Sequence, residues 1–321
     1  MKFGILGAAH GHIASFAASM IKKGHTFVGI YDPVKKRTES YVTRFSVPVF
    51  DSPEDLLKTG AEVIGTSAVN NTKIDVYELC ESYGAHVIAD KPVVTDYEQY
   101  ERLKKIIERG RIQIGLLLTL RFSPPYVRLK SLIDEGALGD LLSFEFHNPH
   151  NLNPSAREDW HFSNTENGGL IIDLIIHCAD LLNWYVGDVK DPVYSATKKK
   201  TVLPEKETFF DYADVYMQTQ EGITAFFKTG WLMPECASAS GYRVVVSGSK
   251  GTAVIDNGTL KVCCNGRPFE EVSCPSVAED PTADFLLGIE GKERLITHED
   301  ILKATKMTLD MDKAARIIKN C

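Results

Sequence analysis

The chain contains no run of 18 uninterrupted apolar residues, the length a membrane-spanning helix requires. Its longest apolar stretch, 169–185, is broken by Asp173, His177 and Asp180. The opening residues Met1-Lys2-Phe3-Gly4 lack the long apolar core and small-residue cleavage site of a secretory signal. No Cys-x-x-Cys pair occurs, and the seven cysteines are scattered apart from adjacent Cys263 and Cys264. An odd, dispersed set fits reduced thiols in the cytoplasm rather than a disulfide framework. Basic charge is not in excess: 36 Lys and Arg against 43 Asp and Glu give a formal net charge of -7. That balance argues against a dedicated nucleic-acid binder, which carries a basic face. There is no internal repeat and no low-complexity tract. What is present, 44% hydrophobic and 25% charged residues, is the composition of a globular protein. At about 150 residues per domain, a chain of 321 suggests two domains.

The first third alternates short apolar runs with amphipathic stretches. Strands are expected at 2–6, 26–31, 49–50, 62–67, 86–89 and 112–119. Helices are expected at 12–23, 35–45, around Leu56 and Leu57, at 73–83 and at 97–108. Gly24, Gly84 and Gly110 stand where helices should stop. This rhythm implies right-handed crossovers and a doubly wound parallel sheet. Gly7, Asp32, Asn70 and Lys91 each follow an expected strand, and ligands of such sheets sit at the carboxyl ends of strands. From Arg121 the rhythm changes. A helix at 126–135, a strand at 141–147, a polar loop at 148–167 and a helix at 169–184 lead into four longer strands, at 193–202, 211–219, 224–231 and 242–247. Turn chemistry lies at Glu221-Gly222, 248–251 and Asn257-Gly258. These predict an open, mainly antiparallel sheet, followed by a last helix at 299–319. One face of that sheet is left to pair with a second subunit.

Three places carry chemistry. Gly7-Ala8-Ala9-His10-Gly11-His12 is a glycine-containing turn after the first strand, which lets backbone N–H groups face a pyrophosphate at a helix N-terminus. The usual glycine positions hold Gly7, Ala9 and His12, with a displaced Gly11. Asp32 closes the second apolar run, where an acid hydrogen-bonds the adenosine ribose and repels a 2′-phosphate, favouring NAD. Lys35, Lys36 and Arg37 leave room for NADP, or form a solvated helix face. The second place is Asp90-Lys91-Pro92, where proline ends the strand and a lysine at the rim can stabilise charge developing on a substrate oxygen. The third is Gly168-Gly169 followed by Asp173, His177 and Asp180. Asp173 and His177 are four residues apart and share one face of an expected helix. A histidine paired with a carboxylate is a standard general base for a hydroxyl proton, or a satisfied core pair. His147, His150, His161 and His177 match no compact metal motif, and no metal is expected.

Together, in this order and spacing, these pieces resemble the Gfo/Idh/MocA family of nicotinamide-dependent oxidoreductases over essentially the whole chain. Asp90-Lys91-Pro92 is similar to the family's Glu-Lys-Pro. Asp159-Trp160 with Gly168-Gly169, Asp173, His177 and Asp180 resembles its second-domain signature, and Arg121-Phe122-Ser123-Pro124 its Arg-aromatic-x-Pro segment. The resemblance implies an NAD(P)-binding Rossmann domain at 1–120 and an α/β substrate and oligomerisation domain at 121–321, with the active site between them. It implies hydride transfer between nicotinamide and a sugar, inositol or related polyol. Lys91 would polarise the reacting oxygen, His177 would accept or return the hydroxyl proton, and Asp173 would position substrate. Gly7 to His12, Asp32, Ser67, Ala68, Asn70, Asp90 and Lys91 would line the cofactor. Arg121, Arg157, Trp160 and His161 would touch substrate, and the chain would form a homodimer or homotetramer with no nucleic-acid or membrane partner. The chain departs from the pattern at the third glycine, at Ala68-Val69 in place of Thr-Pro, at Lys73 in place of histidine and at His161 in place of arginine. Two other readings share the fold: a non-catalytic NAD- or sugar-responsive regulator, and a redox-neutral glycosidase that recycles NAD.

Overall fold

The structure is a computed structural model that describes residues 1–187, 189–220, 222–234, 241–264 and 266–318. In chain order the elements begin β1 (Lys2–Ala8), α1 (Ile13–Lys22), β2 (Thr26–Tyr31), α2 (Glu39–Phe45), α3 (Pro53–Leu57), β3 (Val63–Ser67), α4 (Lys73–Tyr83), β4 (His86–Ala89), α5 (Tyr97–Arg109) and β5 (Ile114–Leu116). There follow α6 (Pro124–Asp134), β6 (Leu141–Asn151), α7 (Asn164–Asn167), α8 (Leu170–Leu174), α9 (Ile176–Val186), β7 (Val193–Lys199), β8 (Tyr212–Gln218) and β9 (Thr224–Met233). The chain ends with β10 (Arg243–Gly248), β11 (Gly251–Asp256), β12 (Thr259–Cys264), β13 (Glu270–Glu271), α10 (Pro281–Ile289), α11 (His298–Ala314) and β14 (Ala315–Ile317).

Two compact units result. The first comprises Met1–Leu118, Thr165–Gly168 and Glu279–Leu302; the second comprises Thr119–Asn164, Gly169–Ala278 and Lys303–Cys321. The chain therefore returns twice to the first unit after residue 120.

The first unit is a five-stranded sheet in the order β2-β1-β3-β4-β5, parallel at every pairing. Because helices cover both faces, β3 is buried at all five positions, the near-continuous apolar strand that parallel sheets require. The core gathers Phe3, Ile5, Ile13, Phe16, Met20, Val63 and Ile88, with Phe285 brought in by α10. Helix starts are set by side chains: Ser52 accepts the N–H of Asp55 at 3.1 Å, and Asp96 accepts that of Gln99 at 2.8 Å, each meeting one orphan donor of a first turn.

The second unit is a nine-stranded sheet in the order β13-β12-β11-β10-β6-β9-β8-β7-β14. It is mainly antiparallel, with β6–β9 and β14–β7 parallel. The β6–β9 pairing is parallel because the long connection between them carries helices and a hairpin, room enough for a crossover. The segment Asn164–Val186 is long and apolar enough to cross a membrane by composition, but 83% of its 18-residue apolar window is buried within the protein.

Several local expectations give way. Val49 makes only an isolated bridge to Ile30 instead of a strand. The helix expected at 35–45 opens as a 3-10 turn, Lys35–Thr38, before α2. Strand β6 runs past His147 to Asn151 because β9 extends alongside it. The helix expected at 169–184 is divided at Ile175, whose ψ of -10° opens the winding between α8 and α9. The last helix stops at Ala314, where the chain leaves it to pair with β7. The expectations at Glu221 and Lys319 lie outside the described residues.

Candidate active site

In the first unit the carboxyl ends of β1 to β4 form one rim, because their strands are parallel and adjacent. Gly7 turns the chain there with φ +85°, and a Cβ on it would lie 2.5 Å from the Cβ of Ala68. Only glycine meets both conditions. Ala8 N donates to Asp32 Oδ2 at 2.7 Å and Ala9 N to Ser67 O at 2.9 Å. Ser67 Oγ donates to the main-chain oxygen of His10 at 2.7 Å. The three strand ends are thus tied to one turn. Asp32 also accepts from Val34 N at 2.8 Å and lies 3.3 Å from a guanidinium nitrogen of Arg37. A cavity of about 300 Å³ opens beside it, lined among others by Gly7, Asp32, Pro33, Arg37, Val69 and Leu79. A mostly apolar lining with the Asp32 carboxylate at the strand end, and Asp75 and Arg37 also on the wall, suits an adenosine. The residues present fit a dinucleotide.

Asp90 and Lys91 follow β4. Asp90 N donates to Thr66 O at 2.9 Å, and Asp90 Oδ1 accepts Lys91 N at 2.8 Å. His12 Nδ1 and His10 Nδ1 each lie 3.1 Å from a different oxygen of the Asp90 carboxylate, with the two rings 4.0 Å apart in an edge arrangement. Burial pushes the Asp90 carboxyl up. Hydrogen bonds from His10 and His12, and the charges of His12 and Lys73, outweigh it and hold the group well below the usual carboxylate range. Burial lowers the pKa of His10 despite the opposing pull of Asp90. Among the described residues, His10, His12 and Asp90 bring their ligand atoms within 4.8 Å of one another. Sharing one carboxylate between two imidazoles accounts for that spacing, and the nearby Lys73 ammonium is a like charge that a divalent cation would have to face.

The sequence marked Lys73 only as a departure from a pattern, and the structure gives it a part. Its side chain is buried, and Nζ donates to the main-chain oxygens of Asp90 at 2.7 Å, Pro92 at 2.9 Å and Lys91 at 3.3 Å. The loop carrying Lys91 is fastened from beneath by three carbonyls on one ammonium. Tyr77, one helical turn on, donates to Val93 O at 2.8 Å. Asn70 Nδ2 donates to Asn167 O at 2.9 Å within the same unit.

In the second unit, Gly169 adopts φ +91° at the start of α8, where a Cβ would meet Asn164 Oδ1 at 2.5 Å. Asp173 N donates to Gly169 O at 3.0 Å, and the Asp173 side chain is buried. His177 lies in the first turn of α9, beyond the break at Ile175, so the pair rides on two consecutive helices and not on one. Arg121 is 2% exposed and clasps Asp180 with Nη2 at 2.7 Å and Nε at 3.1 Å. Trp160 is buried against His161, their ring centroids 3.7 Å apart.

Arg157 lies in a cluster that no sequence spacing announced. Its Cζ sits 4.4 Å over the Trp231 ring. Trp231 in turn meets His150 edge-on, with centroids 5.3 Å apart. His150 Nδ1 is 3.0 Å from Asn148 O and its Nε2 is 2.7 Å from Tyr242 Oη. A carbonyl only accepts, so Nδ1 carries the proton and Nε2 accepts from the tyrosine. His150 lies near the end of β6, Trp231 near the end of β9 and Tyr242 just before β10, three neighbouring strands, and Arg157 lies in the loop after β6. Asp173 acts electrostatically on both Arg157 and Tyr242.

Residues 1–115 match the family described as "Oxidoreductase family, NAD-binding Rossmann fold", and residues 126–254 match "GFO/IDH/MocA C-terminal domain". The chain belongs to the Gfo/Idh/MocA family. It is an oxidoreductase with an NAD-binding Rossmann domain, as its turn, acid and cavity imply. Glucose-6-phosphate 3-dehydrogenase of Bacillus subtilis is 26% identical over 299 residues, 88% of this chain and 83% of that protein. A crystal structure from Erwinia carotovora atroseptica superposes with a TM-score of 0.90 at 21% identity, covering 99% of each chain. An Agrobacterium radiobacter oxidoreductase in complex with NAD+, L-tartaric acid and magnesium superposes with a TM-score of 0.81 at 17% identity, covering 98% of this chain and 96% of that one. At those identities the two structures establish the family fold and no more.

Proposed function

We propose that this chain is an NAD-dependent dehydrogenase acting on a secondary alcohol of a sugar, inositol or related polyol, with Lys91, His177 and Asp173 as its catalytic set. A bound nicotinamide would supply the acceptor or donor for the hydride of the carbinol carbon. Lys91 donates a hydrogen bond to the reacting oxygen and stabilises the charge that gathers there as the C–H bond breaks. His177 takes the hydroxyl proton in the oxidative direction and gives it back in the other, so the alcohol loses two electrons and two hydrogens in all. Asp173 orients the substrate. The observation that supports this reading most directly is the placing of Lys91 at the carboxyl end of β4, beside the dinucleotide turn, on a loop anchored by Lys73 and Asp90. The names of relatives, which include a glucose-6-phosphate 3-dehydrogenase and an inositol 2-dehydrogenase, agree with it. The test is formation of reduced nicotinamide with a panel of sugars and polyols, followed by Lys91→Ala and His177→Ala. Each variant should lose about 100-fold to 10,000-fold in turnover while still binding NAD. Undiminished turnover of an identified substrate in either variant would falsify the assignment.

The same reading carries a homo-oligomer. Tyr216 and Phe226 are directly paired across β8 and β9, and both are exposed. Light scattering that returns the mass of one chain would remove that part.

A further inference from the structure

We propose that the substrate is an anionic sugar or polyol, and that Arg157, seated on Trp231, receives its carboxylate or phosphate. The inference rests on the dehydrogenase reading and adds the charge of its substrate. Arg157 is partly withdrawn from water, and burial works against its charge. A guanidinium so placed gains from a counter-charge. Its Nε donates to Leu152 O and its Nη2 to Asn151 O at 3.4 Å. Both are neutral carbonyls, which aim the group without neutralising it. Among the described residues it enters no ion pair, and none of them bonds its Nη1. Asp173 acts on it only at a distance. The planar cation is therefore pinned by two carbonyls and by the Trp231 face at 4.4 Å, with one edge left for a ligand. A fork of N–H groups held in this way suits carboxylate and phosphate oxygens.

The surroundings suit the rest of such a molecule. Tyr242 Oη gives its proton to His150 Nε2, which leaves its lone pairs to accept from a substrate hydroxyl. Trp231 is buried and backs the guanidinium. An anion-binding arginine, a hydroxyl acceptor and the Asp173 carboxylate together describe a polyhydroxylated anion better than a neutral polyol.

The test is calorimetry on the NAD-loaded protein with myo-inositol and D-glucose as neutral probes, D-gluconate as carboxylate and glucose 6-phosphate as phosphate, each repeated with Arg157→Gln and Arg157→Lys. One or both anions should bind roughly tenfold to a hundredfold more tightly than the neutral probes. Arg157→Gln should abolish that preference, Arg157→Lys should keep part of it, and NAD affinity should hold in both. Preference for gluconate over the phosphate, or the reverse, identifies which anion the site takes. Equal binding of neutral and charged probes, or a preference that survives in folded Arg157→Gln, overturns the proposal. If the anions bind through Arg157 but no probe reduces NAD, the subsite stands and the dehydrogenase reading fails. Should Arg157→Gln not fold, the wild-type comparison of gluconate with glucose decides alone.

Discussion

Lys73 Nζ donates to the main-chain oxygen of Asp90 at 2.7 Å, and through that bond a helix on one side of the sheet holds the loop that presents Lys91. The same ammonium serves the carbonyls of Lys91 and Pro92. Replacing it with methionine keeps the volume and strands three buried acceptors, each of which is costly to leave unmade. Lys73→Met should destabilise the protein by about 3 kcal/mol in urea unfolding. Hydrogen exchange should rise first in the peptide 89–94. Exchange that rises evenly over the whole first unit would mean that Lys73 supports the fold and not the loop.

Gly7→Ala meets two obstacles at once, the left-handed backbone and the 2.5 Å approach to Ala68. The conformational term alone costs roughly 1–2 kcal/mol, and the overlap must displace β3 or the turn. We expect a lower melting temperature and loss of NAD binding, read by calorimetry. Unchanged affinity would show that the turn does not approach the dinucleotide.

Asp32 is the acid beside the cavity, already holding Ala8 N and Val34 N. Asp32→Ala should weaken NAD roughly 10-fold to 100-fold, the worth of a charge-assisted hydrogen bond, and NADP much less. Titrations with both dinucleotides check the ratio. A parallel loss for the two would place the ribose elsewhere.

His298 accepts the N–H of Ile114 at 3.0 Å, and burial, helped by the charge of Arg294, lowers its pKa to about 4. In the unfolded chain an ordinary histidine takes its proton near pH 6.5. Between those values the unfolded state binds more protons, so stability should fall as pH drops from about 6.5 to about 4 and be unaffected by this group above that window. The loss should be about 2 kcal/mol, short of the full shift because the ring is not wholly buried. His298→Gln should remove this component from a pH series of denaturation midpoints.

Much of the first unit was legible in the chain. Strands β2 and β4 and helix α4 fall at the bounds that apolar runs and glycine stops predict, because in a doubly wound sheet each strand must be apolar on both faces. Gly7 and Asp32 were legible for the same local reason, being turn chemistry at strand ends. The division of the helix at Ile175 carries no glycine or proline to announce it. The parallel pairing of β6 with β9 joins residues some 80 positions apart, and alternation records that a strand is half-buried, never which strand lies beside it.

By itself the sequence determined the alternating architecture, the turn at Gly7 with its acid, and the residues Lys91, Asp173 and His177 that we propose as catalytic. Only the tertiary structure decided that Lys73 anchors the Lys91 loop, that His10 and His12 share the Asp90 carboxylate, and that Arg157, Trp231, His150 and Tyr242 meet. Propensity and periodicity are properties of neighbours along the chain, whereas a charge is satisfied by whatever folding carries to within hydrogen-bond reach.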